Sequence, residues 1–246
     1  MTLSYHEIAE EGLRILNPFS EDKLALLVDL CHPSPGERAL DLACGKGEML
    51  CQMALRYGLE GVGVDLSAVF LESAHERAAE LGVESRLQFV EQDASQFTAD
   101  PASFDIVSCI GATWIGSGLA GTLRLMKPMM RAGGLLLVGE PFWNLLPPAG
   151  ASDLLAADPD LFATLRGTMN RFQAAGTELV EMVLADADDW DRYQASQWRK
   201  VSSWLAVNEA HPDADTFRRI RDEWQDAYLD YGRQRWGWGV FVLRVL

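Results

Sequence analysis

Between Ala39 and Gly139 five short apolar runs recur, separated by stretches of helical length: Ala39 to Leu42, Gly61 to Asp65, Leu87 to Glu91, Phe104 to Cys109 and Leu135 to Gly139. Runs this short and this uniformly apolar suit strands buried on both faces, and the stretches between them suit crossover helices. The alternation predicts an α/β fold built on a parallel, doubly wound sheet. Ser67 is placed to cap a helix running to about Leu81, with Gly82 at its end. Ahead of the first strand, His6 to Leu16 has helical spacing and Ser20 can cap a helix through about Leu30. Both would lie over the carboxyl edge of the sheet. After the fifth strand Pro147 and Pro148 break the chain, and Ala151 to Ala175 reads as helical without a strand. Thr177 to Leu184 then reads as a strand, Asp191 to Val207 and Asp215 to Tyr231 as helices, and Gly239 to Leu246 as a last strand. One domain is expected: a helical cover over 1–35, a core over 36–143, a helical cap insertion over 144–176, and strands and helices over 177–246.

Charge narrows the choice of partners. The chain has 36 acidic and 21 basic residues, a net charge of −15, and no basic arm. Nucleic acid and anionic membrane surfaces are therefore poor partners. No apolar run approaches the ~20 residues of a spanning helix. The acidic N-terminus lacks the basic and apolar sections of an export signal, which points to a cytoplasmic protein. Cys31, Cys44, Cys51 and Cys109 form no CxxC pair and sit in or beside apolar segments, as reduced, packed thiols do, so no metal is expected.

The bend after the first strand, Ala39-Leu-Asp-Leu-Ala-Cys-Gly-Lys-Gly-Glu48, puts Asp41 near the strand end and Gly45 and Gly47 in the turn to a helix. Such a turn lets a ligand approach the main chain closely, with a helix N-terminus behind it. Asp65 ends the second strand in Gly61-Val-Gly-Val-Asp-Leu-Ser67, so parallel strands bring both acids to one edge. An acid there can accept hydrogen bonds from both hydroxyls of a ribose. A dinucleotide fingerprint would need a third glycine where Leu50 stands, and Asp41 would repel a pyrophosphate. A cationic ligand suits the turn better.

These residues resemble the class I S-adenosylmethionine-dependent methyltransferases over about Ala39 to Trp143. Asp41 to Gly47 is similar to the family's D-x-G-x-G-x-G motif, with Ala43 in place of its first glycine. Glu91-Gln-Asp-Ala94, Phe104-Asp-Ile-Val-Ser-Cys-Ile-Gly111 and Leu125-Met-Lys-Pro-Met-Met-Arg-Ala-Gly-Gly134 resemble its later motifs in order. The resemblance implies a Rossmann-like, seven-stranded sheet with an antiparallel last strand, and S-adenosyl-L-methionine as cofactor in the 36–143 core. It implies cofactor contacts at Asp41, Ala43, Cys44, Gly45, Gly47, Asp65, Leu66, Asp93, Ala94, Ile110 and Gly111. An NAD(P)-dependent oxidoreductase on a similar sheet and a non-catalytic methyltransferase-like binding module stay open as alternatives.

Methyl transfer needs an acceptor aligned with the sulfonium methyl, plus a base only if the nucleophile must lose a proton. Candidate residues lie just beyond strands four and five. Trp114 can wall the acceptor or contact a cation, and Glu140, with a pKa raised by partial burial, can act as base. Ile115, Phe142, Trp143, Trp190 and Tyr193 complete the expected pocket, although an aromatic stripe at helical spacing also serves packing. Tyr5 and His6 would join if the first helix closes over the site, and Asn17-Pro-Phe-Ser20 would contact the methionine end of the cofactor. Trp236 and Trp238 read as packing. No Asn/Asp-Pro-Pro-Tyr/Phe motif follows strand four, which together with the charge favours a small-molecule acceptor.

Overall fold

In the computed structural model, which describes residues 2–146 and 163–246, each apolar run becomes a strand. The strands are Arg38–Leu42 (β1), Glu60–Asp65 (β2), Leu87–Glu91 (β3), Phe104–Ile110 (β4) and Met130–Trp143 (β5), then Thr177–Leu184 (β6) and Trp236–Val245 (β7). They form one sheet in the order β3-β2-β1-β4-β5-β7-β6, with β1 to β5 parallel and β7 antiparallel to both of its neighbours. The winding direction reverses between β1 and β4, the point beyond whose carboxyl strand ends open α/β sheets bind their ligands.

The longer helices that flank the described sheet are Leu3–Ala9 (α1), Glu21–Cys31 (α2), Glu48–Tyr57 (α3), Ala68–Glu80 (α4), Leu119–Met126 (α5), Leu165–Ala174 (α6), Ala187–Val207 (α7) and Ala214–Ala227 (α8). Side-chain caps start several of them. Ser20 accepts from the Lys23 amide at 3.3 Å and Ser67 from the Phe70 amide at 3.1 Å, while Asp186 and Asp189 form a capping box on α7.

Alternation along the strands divides the core. Leu40, Leu42, Val64, Val107, Leu136 and Val138 pack toward Leu123 of α5 and Phe172 of α6. Ala39, Ile106, Leu137, Val240 and Val242 pack toward Leu27 and Val28 of α2 and Leu50 and Met53 of α3. A separate cluster joins Tyr5 and Ala9 of α1 to Val201 and Leu205 of α7 and Phe217 of α8.

The structure departs from the sequence expectations in four places. The first helix ends at Ala9 rather than Leu16: the carbonyls of Glu10, Glu11 and Leu13 accept from the Lys46 ammonium, and Glu10 O takes the Leu13 amide at 3.0 Å in an i+3 turn instead of continuing the helix. The second helix, α2, lies on a face of the sheet and not over its edge, since Leu24, Leu27, Val28 and Cys31 all pack into the sheet core. β5 extends well beyond the expected Leu135 to Gly139, paired along its outer half with β7, which begins at Trp236. Of the expected helices over Ala151 to Ala175, α6 supplies the end, and residues 147–162 lie outside the described residues.

Candidate active site

The glycine bend is built by backbone in the left-handed region. Ala43, Gly45 and Gly47 have φ of 58°, 53° and 66°. A side chain at Gly45 would come 2.7 Å from Leu16 Cδ1, and one at Gly47 would come 2.7 Å from Phe89 Cε1, so neither position has room for one. Ala43 pays the left-handed strain that its glycine counterpart would avoid. Cys44 lies in the same bend, partly buried, its amide donating to Val64 O at 3.0 Å and its thiol pushed well up by burial. Leu50, at the place of the dinucleotide glycine, is fully buried in α3.

Leu40, Leu42 and Val64 point into one core layer, so the period of two turns Asp41 and Asp65 together toward the other side. Asp65 Oδ2 accepts from the Gly45 amide at 2.8 Å and Oδ1 from the Ser67 amide at 2.9 Å. Each oxygen keeps a lone pair for a ribose hydroxyl. Burial raises the Asp65 pKa, and it pushes Asp41 up to about 7, opposed by the 2.7 Å bond from the Ser108 hydroxyl and reinforced by the charge of Asp65. Leu66, 58% exposed, offers an apolar platform beside them. Ala94 is buried below the rim, and the exposed Asp93 carboxylate accepts from the Ser95 amide at 2.9 Å. At the end of β4, Ile110 is half-buried and the Gly111 amide donates to Gly139 O at 3.0 Å. A Cβ on Gly111 would overlap Asn17 Oδ1.

The segment after α1 covers this bend. Lys46 Nζ, from within the bend, donates to the carbonyls of Glu10, Glu11 and Leu13 at 2.8, 2.9 and 2.7 Å. Tyr193 of α7 donates its hydroxyl to Glu10 Oε1 at 2.6 Å, within 3.2 Å of Leu16 O, and Gln197 donates to Glu10 Oε1 at 2.7 Å. Glu7 of α1 accepts from the Ser67 hydroxyl at 2.7 Å, next to Asp65. Nothing in the local sequence marks Glu10 or Lys46 for this work.

Beyond β4 and β5, Glu140 is 4% exposed, and its Oε1 has no hydrogen-bond partner among the described residues. Burial pushes its pKa up to about 7 against a hydrogen bond with Thr113 and the charge of Arg171. Trp114, in the 3-10 turn Thr113–Gly116, is 65% exposed, and Ile115 beside it packs partly on the core.

The other expected pocket residues are placed differently. Phe142 is in the core, 6.3 Å from the Phe241 ring and filling the space over Gly237. Trp143 is buried in an aromatic cluster with Tyr228, Tyr231 and Trp236, and Trp190 packs partly on the same cluster, 5.8 Å from Trp236. Packing claims Phe142 and Trp143, as it claims Trp236 and Trp238. Tyr5 is likewise a packing residue, edge-on to Phe217 at 5.4 Å, and burial lowers the pKa of its neighbour His6.

Residues 39–134 match the methyltransferase domain family. The chain is 40% identical to an S-adenosylmethionine-dependent methyltransferase from Geobacter sulfurreducens solved with S-adenosyl-L-homocysteine, with a TM-score of 0.93 over 100% of this chain and 99% of that one. This chain is a class I S-adenosylmethionine-dependent methyltransferase. The uncharacterized protein YjhP of Escherichia coli (strain K12) is 42% identical over 241 residues, 96% of each chain. The 27-O-demethylrifamycin SV methyltransferase of Amycolatopsis mediterranei (strain S699) is 27% identical over 196 residues, 74% of this chain and 65% of that protein. Among the described residues of this methyltransferase, no helix is long and apolar enough to cross a membrane.

Proposed function

We propose that this methyltransferase transfers a methyl group to a small organic acceptor held beyond the carboxyl ends of β4 and β5, with Glu140 beside the reacting nucleophile. When bound, S-adenosylmethionine supplies a methyl group on a sulfonium, a leaving group that needs no protonation. The glycine bend accommodates its backbone-hugging approach through Ala43, Cys44, Gly45 and Gly47. Asp65 receives the ribose hydroxyls, Leu66 and Ala94 border the adenine with Asp93 at its edge, and Ile110 and Gly111 line the side toward β4. Asp41 contributes negative charge under a cationic ligand.

One observation carries the acceptor assignment: Glu140 is a buried carboxylate with one oxygen unpaired among the described residues, one step past the Ile110–Gly139 pair that closes the β4–β5 ladder. A carboxylate so placed accepts a proton from an O–H or N–H nucleophile at near-neutral pH, and its dry surroundings favour the transfer. Trp114, 65% exposed in the turn after β4, would border the acceptor. The acidic surface and the rifamycin substrate named for the Amycolatopsis relative support a small-molecule acceptor over a nucleic acid. Incubating the protein with methyl-labelled S-adenosylmethionine and a fractionated cell extract tests this. Label is expected in the low-mass fraction, and label confined to protein or nucleic acid would contradict it.

A further inference from the structure

Leu16 and Asn17, consecutive residues of the N-terminal cover, lie over two different strand ends. Leu16 packs over Gly45, just past β1, and the Asn17 carboxamide packs against Gly111, just past β4, so a side chain on either glycine would collide with the cover. β1 and β4 are neighbours, and the winding of the sheet reverses between them. The pair therefore spans the switch point itself, where an open α/β sheet takes its ligand.

The main chain of Asn17 is fixed from both sides. The Tyr193 hydroxyl of α7 lies within 3.2 Å of Leu16 O. On the other side Pro18 and Phe19 are buried, the Phe19 amide donates to Asn17 O at 2.7 Å, and the Phe19 ring meets Trp238 edge-on at 5.3 Å. The carboxamide, by contrast, has no hydrogen-bond partner among the described residues. Burial does not seal it: Asn17 is half-buried, and neither of its polar atoms is shut away from solvent. Packing over Gly111 does not account for an amide, because a leucine would fill that space as well. A fixed, accessible and unpartnered carboxamide can bind a ligand with little ordering cost.

The surrounding charge selects the ligand group. The amino-acid end of the cofactor carries an ammonium and a carboxylate. Asp41, Asp65 and Glu7 give this edge an excess of acid, which suits the ammonium and leaves the carboxylate in need of donors. Lys46, the cation of the bend, already gives three hydrogen bonds to main-chain carbonyls. Within Asn17, Oδ1 is the atom pressed against Gly111, while Nδ2 stands 3.6 Å from the place of a Cβ there. The donor is the freer end. β2, β1 and β4 are consecutive in the sheet, so a nucleoside whose ribose lies at Asp65 runs its amino-acid tail past the glycine bend toward Asn17.

We propose that Asn17 Nδ2 donates to the α-carboxylate at the cofactor's amino-acid end and makes the site selective for ligands carrying that group. This rests on the placement of S-adenosylmethionine at the carboxyl edge.

The test uses two probes that differ in one group: S-adenosylhomocysteine and its decarboxylated analogue, which keeps the ammonium and lacks the carboxylate. Calorimetric titration of the wild-type protein is expected to show the analogue binding about 10- to 100-fold more weakly, as loss of a charge-assisted hydrogen bond requires. Asn17→Ala should lose most of that preference, by weakening S-adenosylhomocysteine and leaving the analogue nearly unchanged. Asn17→Asp, equal in shape, sets a carboxylate against a carboxylate and should reverse the preference. Equal wild-type affinity for the two probes would overturn the assignment even if neither variant folded. An equal loss for both probes in Asn17→Ala, as a packing defect gives, would overturn it too, and so would stronger S-adenosylhomocysteine binding by Asn17→Asp. Binding of neither probe by the wild-type protein would overturn the cofactor placement beneath it.

Discussion

At the scale of single residues, Glu140 and Ala43 carry the sharpest consequences. Glu140 has a folded pKa of about 7, set by burial. As a base it works ionised, so turnover should rise with pH along a limb centred near 7 and level off above it. Glu140→Gln is expected to lower turnover by roughly 100-fold or more, the usual scale for a lost general base, and to abolish that limb while leaving cofactor affinity unchanged. A limb that survives in the variant would show that another group is titrating. Ala43, at φ 58°, sits where glycine is the natural residue. Ala43→Gly should therefore raise stability by roughly 1 kcal/mol in urea unfolding, and a loss of that size would mean that the bend is not strained there. The bend and Asp65 are legible in the sequence because each lies at a strand end marked by its own local residues. Glu10 is not, since its carboxylate partner Tyr193 is 183 positions away and its latch Lys46 is 36 positions away. Periodicity placed it in a helix instead.

Among the elements, strands were read more closely than helices. β3 and β6 have the expected bounds, and β1, β2 and β4 differ by a residue, because short apolar runs between turn signals leave little freedom. The outer half of β5 was hidden because it contains Pro141 and acquires its ladder only from β7, far along the chain. The premature end of α1 depends in turn on a tertiary contact, the capture of three carbonyls by Lys46. That contact can be removed with little change in bulk. Lys46→Met keeps a stem beside the Phe70 ring and deletes the donors. It should expose residues 10–17 to limited proteolysis and weaken S-adenosylhomocysteine binding, while the sheet core keeps its hydrogen-exchange protection. Unchanged proteolysis would show that the cover is held by α1 and α7 alone.

For the molecule as a whole, three buried carboxylates set the response to pH. Glu10, Asp41 and Glu140 titrate at about 7 when folded, and near 4 when the chain is unfolded. Between those values the native state binds more protons than the unfolded state, so stability falls as pH rises from about 4 to about 7. Asp65 shifts in the same direction, whereas His6, lowered by burial, acts against them below its ordinary value. Asp186 and Asp191, lowered by their Lys23 and Arg233 partners, lose their contribution only as pH drops below the usual carboxylate range. The cofactor-free protein should thus unfold at lower urea at pH 8 than at pH 5, and saturating S-adenosylmethionine, a cation placed over Asp41 as proposed, should narrow the difference. A midpoint that climbs with pH would contradict this. The sheet also has a second edge, where Lys127, Arg131, Gly133 and Arg244 line a hollow of about 400 Å³. Hydrogen exchange with and without S-adenosylhomocysteine decides between the two edges. New protection is expected at Ala43–Gly47, Asp65–Ser67 and Ile110–Gly111, with none around Arg131 and Arg244; protection appearing only at that basic hollow would contradict cofactor binding at the carboxyl edge.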